Sequence, residues 1–231
     1  MKKRIKKLIS FIMTASCLFS ITAIPTLAAG KNNSQNILTE GISELEQKYN
    51  VTIKEAPTAK NVSTFSTDEV TSLLEDLETT LSNGQEARIQ NQLDYENYMS
   101  ELKNSGRLDN NNEVYDTSST RARKTRTYYH NIGSVMPSGT TIRCSMTGTT
   151  IEDSYGNTIW DSLNSHSSRL SSGYGTGWKE TDFSAERMDR GRTVMCSFIG
   201  TLEEPYKQSG IIQYYVYSEG WRIWFEAYAM D

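Results

Sequence analysis

Outside the N-terminal segment, His130, His166, Cys144 and Cys196 are the residues best suited to nucleophilic chemistry. A thiolate activated by an imidazole attacks carbonyl carbon, and either cysteine with either histidine would satisfy that requirement. Both cysteines, however, fall within alternating apolar stretches, which turns their side chains toward a core. Six acids near turns, Glu152, Asp153, Asp161, Glu180, Glu203 and Glu204, could supply the two carboxylates of a glycoside hydrolase. Nothing in their spacing selects a pair. HExxH, GxSxG, GxGxxG and the P-loop are absent, and two histidines with a cysteine pair make a poor zinc set. No metal and no cofactor is expected. The Gly-rich stretch Ser171–Gly177 lacks a nucleophile elbow and reads as a surface segment.

Binding chemistry is better represented. Near the C-terminus Trp224 and Tyr228 recur on one face of an alternating stretch, and the stretch before it offers Tyr215 and Tyr217, or Tyr214, depending on register. Flat aromatic rings stack on sugars and anchor protein interfaces because they bury area at little entropic cost. The leading expectation is therefore a secreted, non-catalytic binding protein whose C-terminal part recognises an extracellular or cell-wall partner, glycan or protein. A secreted hydrolase acting on such a polymer is the second reading. The third is a bacteriocin- or toxin-like effector matured by cleavage at the basic cluster of Arg121, Arg123, Lys124 and Arg126. That cluster could also bind an anionic polymer, or simply be the solvated end of a linker.

The elements that must carry these groups differ sharply along the chain. Lys2, Lys3, Arg4, Lys6 and Lys7 precede an almost uncharged run to Leu27, broken at Pro25 and followed by Thr26-Leu27-Ala28. This is the layout of a secretory signal peptide, residues 1–28, and implies an extracellular location, the cell wall included. Thr14 stands where a lipoprotein site before Cys17 would carry Leu, so no lipid anchor is expected. Neither is stable membrane insertion after cleavage. The remaining chain carries 19 Lys and Arg against 28 Asp and Glu, which argues against general affinity for nucleic acid. It retains two cysteines, and in an exported chain an even pair reads as a disulfide, Cys144 to Cys196. Closing a loop of that size would stabilise the fold by roughly 4 kcal/mol.

Residues 30–103 form an acidic helical region. Leu38, Ile42, Leu45 and Tyr49 mark one amphipathic helix, and Val51–Ala56 a short strand. Ser66-Thr67-Asp68-Glu69 is a capping box opening a stripe of Val70, Leu73, Leu74, Leu77 and Leu81. Asn83-Gly84 predicts a stop or kink before a second helical stretch over Gln85–Leu102. Residues 104–126 read as a polar linker ending in the basic cluster.

From Thr127 to Asp231 the pattern has period two. Ile142, Cys144 and Met146 alternate with polar residues. Ser154-Tyr155-Gly156-Asn157 predicts a hairpin turn, and Val194, Cys196 and Phe198 share a strand face. Ser184–Arg190 reads as one or two helical turns. Glu219-Gly220 predicts a tight turn between Ile211–Tyr217 and Trp221–Ala229. In the last strand Trp221, Ile223, Phe225, Ala227 and Ala229 face one way, and Arg222, Trp224, Glu226 and Tyr228 the other. The fold class expected is α+β by segment: a short N-terminal helical region, then an all-β antiparallel sandwich or small barrel over 127–231.

Cysteines on two separate strands, with Trp160 and Trp178 between them, resemble the immunoglobulin-like sandwich. Val194 stands where that class places a Tyr two residues before the second cysteine, and no immunoglobulin function is carried over. The whole layout, a short helical front and a terminal β domain behind a strongly basic signal, resembles uncharacterised secreted proteins of Gram-positive bacteria. That resemblance implies export and a C-terminal β-sandwich domain and names no activity.

Overall fold

Leu38, Leu45 and Tyr49 lie on one side of helix α1 (Asn33–Tyr49), and all three are buried. Asn50 leaves the helix with φ 50°, a left-handed conformation that Asn tolerates better than most residues, and strand β1 (Val51–Glu55) follows. The computed structural model describes residues 33–55, 65–110, 123–133, 140–172, 177–208 and 212–230. The expected signal peptide lies outside them, as do Arg121 with the rest of 111–122, and the middle of the Gly-rich stretch, 173–176.

Helix α2 (Thr67–Asn104) opens with the expected box. The Glu69 N–H donates to Ser66 Oγ and the Ser66 N–H donates to Glu69 Oε2. The helix then runs unbroken for 38 residues, about 57 Å at 1.5 Å per residue. The stop or kink expected at Asn83-Gly84 is absent. Gly84 is instead a buried helical position, close to Ala87, which packs against the main core. The stripe Val70, Leu73, Leu77 and Leu81 is buried against α1, Ile53 of β1, Tyr206 and Val216.

Six strands follow: β2 (Lys124–Gly133), β3 (Thr141–Glu152), β4 (Thr158–Ser172), β5 (Gly177–Met188), β6 (Thr193–Gln208) and β7 (Ile212–Tyr228). They form two antiparallel sheets, one in the order β2-β3-β4 and one in the order β7-β6-β5, and β1 extends the second beyond β7. The fold is α+β and mostly β, as the alternating pattern implied. The main core lies between the sheets and includes Ile142, Cys144, Met146, Trp160, Val194, Cys196, Phe198, Trp221, Ile223, Phe225 and Ala227. The predicted β3–β4 hairpin is present. Asp153 Oδ1 accepts from the N–H groups of Tyr155 and Asn157, and Gly156 takes φ 85°.

Three expectations are corrected. Ser184–Met188 is the end of strand β5, paired with β6, and no helical turn. Glu219-Gly220 is no hairpin turn either: β7 is one strand that pairs with β6 on both sides of an irregularity, where Gly200 faces Trp221 and Leu202 faces Ser218. Gly220 takes φ 73° there, so its left-handed freedom serves a β-bulge. Cys144 and Cys196 form no disulfide and are two buried thiols. They sit on opposed sheets, whose usual spacing near 10 Å exceeds the Cα separation of at most about 7 Å that a bridge requires.

Sheet β1-β7-β6-β5 is covered on its outer side. Met188, Met195 and half-buried Trp224 pack against Tyr95, Tyr98, Met99 and Leu102 of α2. The start of the expected linker is also fixed in place. The Asp109 N–H donates to Arg187 O, the Asp189 N–H to Arg107 O, and the Asp109 carboxylate accepts from the N–H groups of Arg190 and Gly191.

Candidate functional site

The residues singled out for nucleophilic chemistry sit where it is disfavoured. Burial pushes the Cys144 thiol up to about 12, with the Glu180 carboxylate adding to the effect. Burial also pushes Cys196 up to about 12, with Cys144 second. Thiols so placed stay protonated at neutral pH and pack as small apolar groups. The two histidines occupy opposite ends of one row of aromatic rings. His166 stacks on Phe183 at 3.7 Å, Phe183 meets Phe198 at 4.9 Å, Phe198 stacks on Phe225 at 6.0 Å, and Phe225 stacks on His130 at 5.5 Å. His166 also meets Phe198 edge-on at 6.0 Å, so Phe198 and Phe225 stand between the imidazoles. Among the described residues no group of three His, Cys, Asp or Glu could hold a metal ion.

His166 nevertheless belongs to a polar chain that the sequence did not reveal. Its Nε2 lies 2.8 Å from Glu180 Oε1; Ser168 Oγ donates to Glu180 Oε2 at 2.6 Å; and Trp178 Nε1 donates to Ser168 Oγ at 2.7 Å. Donor chemistry fixes the direction of each bond. An indole N–H can only donate and a carboxylate can only accept, so the Ser168 proton is committed to Glu180. A serine nucleophile needs the imidazole between hydroxyl and acid. Here the acid stands in the middle, which orders the β4–β5 side of the sandwich and leaves the hydroxyl unactivated.

The other carboxylates are dispersed. Asp153 caps the β3–β4 turn; desolvation is the largest single influence on its carboxyl and raises its pKa, but the hydrogen bonds from Asn157, Tyr155 and Gly156 together outweigh it and hold the pKa below the ordinary value. Asp161 faces Arg123 at 3.4 Å. Glu203 pairs in register with Gly177, while Glu180 pairs with Gly200. Glu204 is buried, and Glu152 closes β3 opposite Thr158.

The expected aromatic platform is divided. Trp224 stacks beneath α2, its ring 4.7 Å from Tyr98 and 6.3 Å from Tyr95. Tyr228 is 46% exposed, and its hydroxyl donates to Glu226 Oε2 at 2.7 Å, a bond that raises its pKa. Glu226 in turn accepts from Arg107, which also holds Asp189 through two 3.0 Å bonds. Tyr215 and Tyr217 are described by backbone alone: Tyr215 pairs with Lys54 and Pro205, and Tyr217 with Thr52 and Glu203. In the basic cluster, Lys124 and Arg126 belong to the β2 ladder opposite Thr150 and Gly148, and Arg126 Nε donates to Thr150 Oγ1.

No helix covers the outer side of sheet β2-β3-β4 among the described residues. Antiparallel register there builds four rows across three strands: Thr125–Thr149–Ser162, Thr127–Thr147–Ser165, Tyr129–Ser145–Ser167 and Asn131–Arg143–Arg169. Hydroxyls meet across the strands at 2.9 Å (Thr127–Thr147) and 2.8 Å (Ser145–Ser167), and Asn164 Nδ2 donates to Thr149 Oγ1. Each such pair spends one donor and keeps the other free for a ligand. Tyr129 is 61% exposed, with the Arg143 guanidinium 4.5 Å from its ring centre. None of the twelve row positions is acidic, in a chain holding 28 acids. Sequence reasoning missed this face because its residues are ordinary one by one; only the register places them together.

An antiparallel sandwich with one helix-covered face and, among the described residues, one open polar face defines the architecture. Compared with known protein families, with curated proteins and with solved structures, the chain matches none of them. Among the described residues no helix is long and apolar enough to cross a membrane.

Proposed function

We propose that the protein is exported and acts as a non-catalytic recognition protein, with the outer face of sheet β2-β3-β4 as its binding surface for an extracellular or cell-wall partner. The observation that carries this reading is the contrast between the two outer sheet faces. One is filled by Trp224, Met188 and Met195 under α2; the other presents Tyr129, cross-strand hydroxyl pairs and two arginines without an acid. A rigid sheet displaying aligned donors loses little freedom when it engages an extended partner. Hydrolysis has less support, because the thiols are buried and the Ser168–Glu180–His166 order leaves the Ser168 hydroxyl unactivated.

The test is retention of the secreted chain on purified cell wall and on insoluble polysaccharide. Tyr129→Ala should leave the unfolding transition in place and reduce retention about tenfold, the scale expected for an aromatic contact. Undiminished retention by a folded Tyr129→Ala protein would remove this face from the interaction.

A further inference from the structure

We infer that this open face takes a linear acidic polysaccharide, a pyranose polymer carrying carboxylates, with Arg143 and Arg169 as its anion contacts. The inference rests on the recognition reading above and assigns the chemistry of the ligand. Arg143 and Arg169 are directly opposite one another across the β3–β4 ladder. Like charges in that relation repel and destabilise a sheet. Among the described residues neither guanidinium makes an ion pair with a carboxylate; the interaction shown for Arg143 is with the Tyr129 ring. Two adjacent, unneutralised guanidiniums match the planar, two-oxygen geometry of a carboxylate, which each fork can engage bidentately.

What adjoins the arginine pair narrows the ligand further. One row away, about 7 Å along the strands, lie Tyr129, Ser145 and Ser167, and beyond them Thr127, Thr147 and Ser165. An exposed phenol ring suits the apolar face of a pyranose, and paired hydroxyls suit its hydroxyl groups. A compact inorganic anion would use the arginines and leave these rows idle. A neutral glycan would use the rows and leave the like-charge pair without compensation. A polymer with both features engages the whole face. The surrounding negative charge, 28 acids against 19 cations after removal of the basic N-terminal residues, confines such binding to the acid-free rows.

The experiment titrates the full secreted chain with polygalacturonate oligomers, and in parallel with neutral dextran and with polyphosphate. Polygalacturonate should bind with an affinity that falls as salt rises, since ion pairing is screened. R143Q and R169Q should each weaken it about tenfold, one lost charge-assisted contact, while retaining the wild-type unfolding transition. Equal binding of dextran, equal binding of polyphosphate, or wild-type affinity in a folded R169Q protein would each overturn the assignment. The salt dependence judges it independently should either variant fail to fold. Tyr129-dependent wall retention without polygalacturonate binding would discard the acidic-polysaccharide class and leave the recognition face standing. Loss of Tyr129 dependence would discard both.

Discussion

Trp224 of β7 stacks on Tyr98 of α2 with ring centroids 4.7 Å apart and planes 15° from parallel. This pair fastens the long helix to the sheet, with Tyr95 tilted against the same indole. Trp224→Ala should therefore act on stability. Truncating a half-buried tryptophan in an aromatic cluster costs about 2–4 kcal/mol, which urea unfolding will read as a lower midpoint. Glycan retention per folded molecule should be unchanged. Full stability together with lost retention would instead make Trp224 a ligand contact.

The two thiols give a second prediction. Iodoacetamide should label neither Cys144 nor Cys196 in the native protein and both after unfolding without reductant, because both are free and buried. A denatured, unreduced chain that resists labelling would contradict this. Their folded pKa values lie above the ordinary 9.0, near 12, so folding favours the protonated form. The stability they contribute is complete below pH 9 and is lost as pH rises from there toward 12. Tyr206, pushed by burial from 10.0 to about 12, adds a decline of the same sign that begins higher. Unfolding free energy measured from pH 8 upward should fall accordingly, and less steeply in a Cys144→Ala/Cys196→Ala protein.

At the acid end the relevant clamp is Arg107. Its hydrogen bonds hold the Asp189 carboxyl below the ordinary value, an effect larger than the opposing cost of burial. A depressed carboxyl contributes stability above its unfolded pKa that disappears as pH falls through the folded one. Arg107→Ala should cost about 1–2 kcal/mol at neutral pH, allowing for the solvent exposure of the guanidinium. The variant and wild-type curves should then converge as Asp189 protonates. A difference that stays constant down to the acid limit would show that Arg107 acts by packing alone.

Local devices were legible in the sequence, and long-range closures were not. The Ser66–Glu69 box, the β3–β4 hairpin and the inward face Trp221–Ile223–Phe225–Ala227 are written within a few residues each, so periodicity and turn chemistry suffice. Asn83-Gly84 and Glu219-Gly220 misled for one reason. A glycine that permits a stop or a turn equally permits a buried helical position or a bulge, and the surrounding elements decide which. That β1 would join β7, that α2 would cover Trp224, and that Arg143 would face Arg169 depend on pairing between distant segments. Alternation assigned Trp224 and Tyr228 to the correct face but could not say what lies over it.

Gly200 offers a test of the polar chain around His166. A Cβ placed there would come within 2.5 Å of the Trp178 ring and 2.7 Å of Lys179 O. The backbone on that side is held in the β5–β6 ladder, so the indole must move. Trp178 Nε1 donates to Ser168, and Ser168 donates to Glu180, so a displaced indole releases the hydroxyl that helps seat the acid beside His166. Gly200→Ala should cost about 1–3 kcal/mol, as overpacking does, and should shift both the Trp178 indole N–H and the His166 ring resonances in NMR spectra. Gly220→Ala is the control. It meets no neighbouring atom but forces a side chain onto φ 73°, so it should cost about 1 kcal/mol and leave those resonances in place. A stable Gly200→Ala protein with an unmoved Trp178 signal would mean that the indole is not packed against Gly200 and that Ser168 is oriented by Glu180 alone.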